Sequence, residues 1–91
     1  MAIKKPKKWD GLWRIVIFDI PETKKSIRSA INLKLKEIGM LPIQKSTFIS
    51  PYECQDEIDF VGEYFFARSH IIYMVVKEID NEPKIKKHFD L

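Results

Sequence analysis

The chain alternates between short apolar runs and amphipathic stretches in an order that predicts its elements directly. Ile15 to Phe18 is continuously apolar, β-branched and aromatic, as expected of a strand covered on both faces. Pro21 cannot donate to a ladder and pushes Ile20 to extended geometry, so this strand ends near Ile20. Glu22 to Ile38 predicts a helix, because Ile27, Ile31, Leu35 and Ile38 fall on one stripe. Glu22 suits its positive end, and Gly39 suits the position just beyond its last turn. Leu41 to Ser50 predicts two short strands or one bent strand, with Lys45-Ser46 as a tight turn or a bulge and Pro42 at the start or on an edge. Glu53 to Phe66 predicts a second helix with Cys54, Ile58, Val61 and Phe65 inward. Ser69 to Lys77 predicts a strand, and Glu82 to Phe89 a short helix after the turn at Asp80-Asn81.

Strand, helix, two strands, helix, strand is the split βαβ order. It predicts an α+β, ferredoxin-like sheet that is antiparallel, with both helices on one face. Ile15–Phe18 and Ile71–Val76, the most apolar segments, are expected at the sheet centre. The helix-free face needs a cover, and a second copy packing sheet to sheet predicts a homodimer. Trp9, Trp13, Tyr52 and Tyr73 are candidate aromatics for that cover. The expected organisation is a basic arm or linker over residues 1–8 and a folded domain over 9–79. A tail over 80–91 forms the short helix or is exchanged between copies.

Composition narrows the classes. At 91 residues there is room for one domain, and 45% hydrophobic residues supply its core. Cys54 is the single cysteine, which excludes an intrachain disulfide and a cysteine zinc site and points to a reducing cytoplasm. The apolar runs are too short to span a bilayer, so no membrane is expected. The charge of +3 is unevenly placed. Lys4, Lys5, Lys7 and Lys8 supply four of the 16 basic residues; the 12 that remain are outnumbered by the 13 Asp and Glu, all of which follow Lys8. The arm reads either as a phosphate contact or as a solvated leader.

Candidate chemistry is sparse. Asp19 ends the first strand, the position at which open α/β layers collect ligands and metals, although spacing alone favours a cap on the following loop or helix. Lys25 and Lys36 face away from the apolar stripe of a helix that also carries Lys24, Arg28 and Lys34. The second helix carries Glu53, Asp56, Glu57, Asp59 and Glu63 with no base, so it is a poor nucleic-acid surface.

The run from Arg14 to Ile20, the basic helix after it, and Gln44-Lys45-Ser46-Thr47-Phe48 together resemble the CRISPR-associated Cas-two family. Trp9-Asp10-Gly11, Trp13-Arg14, Phe18-Asp19-Ile20-Pro21-Glu22 and Ser50-Pro51-Tyr52 look closer still to the Cas-two-like domain of PaaX-type repressors of phenylacetate degradation. The resemblance covers about residues 9–79. The first branch implies a dimeric endonuclease in which Asp19 is the catalytic residue and binds Mg²⁺, cutting RNA or DNA. It also implies a structural role, in which Lys25, Arg28 and Lys36 bridge duplex DNA beside an integrase partner. The second branch implies a dimerisation module behind an upstream winged-helix reader, with Ile3 to Lys8 as the end of a linker. Both imply DNA or RNA as partner, and the regulator module is the favoured reading.

Overall fold

Pro21 and the paired ends of the strands divide the chain much as its periodicity predicts. The computed structural model describes residues 1–91. Strand β1 is Trp13–Phe18, helix α1 Lys25–Glu37, β2 Leu41–Gln44, β3 Thr47–Ser50, α2 Gln55–Tyr64, β4 Ile71–Val76 and α3 Glu82–His88. The four strands form one antiparallel sheet in the order β2-β3-β1-β4, the ferredoxin-like arrangement. Lys45-Ser46 is a turn, and a register irregularity between Pro42 and Gln44 adds a bulge beside it. Helix α1 starts at Lys25 because Pro21 at φ −54° and ψ 145° leads into a tight turn over Glu22–Lys24.

The period of two along β1 sorts side chains to opposite layers. Val16 and Phe18 face the helices and join Phe48, Ile71, Ile31, Leu35, Ile58 and Val61 in the main core. Trp13 faces the other way and packs with Ile49 and Ile85 in a second, smaller cluster.

Two expectations are corrected, and the short helix expected of the tail is present. Strand β4 lies at the edge of the sheet, and β3 takes the central place beside β1. An apolar run on both faces requires only that both faces be partly covered, which α2 and the second cluster provide for β4. The tail is a helix packed on its own sheet, where Ile85 is buried and Glu82 Oε2 accepts from Trp13 Nε1 at 3.1 Å. Burying an isoleucine is worth about 1.5–3 kcal/mol, one part of what holds this helix on the sheet. Finally, Tyr73 and Tyr52 do not cover the helix-free face. Tyr73 points to the helix side, where its hydroxyl accepts from the Cys54 N–H at 3.1 Å, and Tyr52 is buried in the loop before α2. The N-terminal arm is also tied down near its free end. Ile3 donates to the Ile38 carbonyl at 3.1 Å and packs on the main core.

Candidate functional site

Asp19 follows Phe18 out of the sheet, and the local backbone explains its position. The Phe18 N–H donates to the Ser46 carbonyl at 3.0 Å, and the Asp19 N–H donates to the His70 carbonyl at 2.9 Å. By strand parity Asp19 belongs to the helix-free side, in line with Ile15 and Ile17. Its carboxylate is exposed and makes no hydrogen bond or ion pair within the chain. No group of three His, Cys, Asp or Glu side chains is placed to hold a metal ion, and Asp19 offers a single unpaired carboxylate from each chain.

The same end of the sheet holds a basic concavity of about 430 Å³, lined by Glu22, Lys25, Arg28, Ser29, Asn32 and Lys45. Lys25, Ser29 and Asn32 rise along one side of α1, and the β2–β3 turn brings Lys45 against them. Asn32 Nδ2 donates to the Lys45 carbonyl at 3.4 Å. Arg28 pairs with Glu22 at 2.9 Å, and that guanidinium holds the Glu22 carboxyl below its ordinary range. Lys25 and Lys45 form no ion pair, so two free ammonium groups, a hydroxyl and an amide converge here. That set suits phosphate oxygens, which take point charges and neutral donors together.

The structure joins Lys25 and Arg28 but separates the other predicted contacts. Lys36 is exposed on the same side of α1, beyond the concavity. Lys4, Lys5, Lys7 and Lys8 follow Ile3 at the opposite end of the sheet. Lys45 was not identified from sequence, because a lysine in a turn carries no mark of which helix it will meet.

The opposite end is structural. Arg14 is buried and clamps Asp10 with two bonds of 3.0 and 2.7 Å, and it also donates to the Pro51 carbonyl at 2.9 Å. Those bonds lower the Asp10 carboxyl and tie the start of β1 to the loop before α2. Burial pushes the Cys54 thiol up to about 12, which makes it an inert core residue.

The sheet face opposite α1 and α2 is only half covered. Helix α3 and Phe89 cap Trp13, with Leu41, Ile43 and Val76 around them. Ile15, Ile17 and Met74 remain half-buried, and Ile72 is 59% exposed. These four side chains come from paired positions of β1 and β4, Ile15 opposite Met74 and Ile17 opposite Ile72, and lead towards Asp19.

A family model described as PaaX protein central Cas2-like domain matches residues 6–87 of the chain. No curated protein matches it.

Proposed function

Because the chain belongs to the PaaX protein central Cas2-like domain family, we propose that it acts as the pairing module of a PaaX-type regulator. Two copies join through the part of the sheet face opposite α1 and α2 that α3 leaves open, and the concavity of Lys25, Arg28 and Lys45 rests on a nucleic-acid backbone. The observation that carries this reading is the open strip of Ile15, Ile17, Ile72 and Met74. An apolar strip beside a well-filled cluster gains free energy when it leaves water, at about 25 cal/mol per Å². A two-fold contact lets each strip cover its equivalent on the partner. The phosphate contacts add affinity without base specificity.

Sedimentation across a concentration series tests the pairing. The wild-type chain shifts to dimer with rising concentration, whereas Ile72→Asp remains monomeric at every concentration. A monomeric wild type sinks the proposal. Binding to duplex DNA across a salt series tests the second part. Two to four phosphate contacts give a slope of roughly −2 to −4 in log K against log salt, and the pair Lys25→Ala and Lys45→Ala reduces it by about 2.

The endonuclease reading has less support, since one exposed carboxylate per chain is all it draws on. Labelled single-stranded RNA and duplex DNA, incubated with Mg²⁺, with Mn²⁺ and with chelator, distinguish the two. We expect no metal-dependent cleavage that Asp19→Ala removes. Its appearance would replace the pairing module with an enzyme.

A further inference from the structure

The outer surface of the helix layer, on the far side of the sheet from the pairing face, carries a second apolar feature. Ala30 and Leu33 of α1, with Phe60, Val61, Tyr64 and Phe65 from α2 and its last turn, line an open groove of about 460 Å³. Val61 belongs to the main core and Phe65 packs on it, so the floor of the groove is core, but its walls stand out from the surface. Leu33 and Phe60 are more than half exposed, and Tyr64 is 68% exposed. Phe60 stacks on Tyr64 with ring centroids 6.2 Å apart, and Tyr64 meets the edge of Phe65 at 4.9 Å. The groove wall is therefore an ordered aromatic pile. Large apolar residues gathered this way on a surface mark an interaction site.

Phe66 adds an independent observation. It follows the groove residue Phe65, is 94% exposed, and is held at φ 53°. A bulky residue in the left-handed region is strained by about 1–2 kcal/mol, and such strain collects where a side chain is presented for contact.

Charge selects the occupant. On the α1 wall Lys34 and Glu37 neutralise each other at 3.6 Å. Helix α2 carries Asp56, Glu57, Asp59 and Glu63 and no base. Asp59 is bound by Arg68 at 2.8 Å, which leaves Asp56, Glu57 and Glu63 without a cation. Helical spacing sets Glu57 in line with Phe60 and Tyr64, and Asp56 and Glu63 along their solvent side. The apolar groove thus has one acidic lip. A nucleic-acid backbone is repelled there, and an acidic or neutral helix leaves that lip unmatched.

We propose that this groove receives an amphipathic helix from a partner protein, one whose apolar stripe is bordered by lysine or arginine. Leu33, Phe60 and Tyr64 take the partner's apolar side chains at i, i+3 or i+4, and i+7. Glu57 and Glu63 take its cations, and Phe66 closes one end. Helix α2 has 10 residues and is about 15 Å long, which fits two to three turns of the guest.

The test uses the isotope-labelled chain and two synthetic helical peptides with the same leucine stripe, one flanked by lysines and one by glutamates. We expect the lysine peptide to bind and to shift the amide signals of Leu33, Phe60 and Tyr64. The glutamate peptide binds at least tenfold more weakly. Tyr64→Ser and Phe66→Asn each weaken the lysine peptide by about tenfold; the Tyr64→Ser chain keeps a wild-type amide spectrum away from the groove, and Phe66→Asn keeps the thermal midpoint at or above that of wild type. Glu57→Lys combined with Glu63→Lys reverses the preference between the peptides. Equal binding of both peptides, no binding of either, or shifts confined to Ile72 and Met74 overturns the proposal. Concentration-dependent shifts at the groove without peptide also overturn it, in favour of a second copy of the chain as occupant.

Discussion

Helices α1 and α2 end in the same hydrogen-bonded motif, but each places its glycine differently. At the end of α1 the Met40 N–H donates to the Leu35 carbonyl at 3.0 Å and the Gly39 N–H to Lys36 at 3.1 Å. At the end of α2 the Ala67 N–H donates to Gly62 at 2.8 Å and the Phe66 N–H to Glu63 at 3.1 Å. Both are Schellman motifs, with one residue in a positive-φ conformation. In α1 that residue is Gly39 at φ 111°, and the motif is closed by buried Leu35 and Met40. In α2 it is Phe66, while the glycine stands four residues earlier at position 62. A Cβ on Gly62 would lie 3.0 Å from the Arg68 Cα, so close chain packing requires glycine there. The first end follows local conformational preference throughout. The second sets it aside at Phe66 and leaves that side chain in water, beside the aromatic groove. Departures from local consistency of this kind concentrate at functional surfaces.

The comparison can be broken or sharpened by substitution, from the largest effect down. Leu35→Ala removes the apolar closure of the α1 motif and costs about 2–5 kcal/mol in denaturant unfolding. A much smaller loss would mean that the α1 end is held by its backbone bonds alone. Gly62→Ala forces a methyl against the Arg68 backbone and costs about 1–3 kcal/mol. If it proves neutral, α2 has no steric need for its glycine and the contrast weakens. Gly39→Ala meets no atom within 4 Å, so its cost of about 1–2 kcal/mol is conformational. Phe66→Asn runs the other way. Asparagine tolerates the left-handed region, so the thermal midpoint rises slightly, by the equivalent of about 0.5–1 kcal/mol. A fall would show that Phe66 is held by contacts and not strained.

Much of this was legible beforehand, and the exceptions share a cause. The β1 run, the α1 stripe of Ile31, Leu35 and Ile38, and the stop at Gly39 follow from period and turn chemistry, which act over a few residues. The edge position of β4 did not follow, because Ile71–Val76 has the same composition whether it has one neighbour or two. The partnership of Lys45 with Lys25 and Arg28 depends on a hairpin folding back beside α1. The positive φ at Phe66 comes in the turn that brings Arg68 back against Gly62, a contact that no local preference marks.

By itself, then, the sequence determined the elements, their order and their inward faces, since each is the outcome of local propensity and apolar spacing. It also carried the motifs of the family and the place of Asp19 at the end of the first strand. Only the tertiary structure decided which strand lies at the edge, that α3 caps Trp13, and that the basic concavity and the arm lysines stand at opposite ends of the sheet. It alone assembled the acidic-lipped aromatic groove from two helices. Those features depend on the relative placement of residues far apart in the chain, and long-range packing sets that placement, beyond the reach of local pattern.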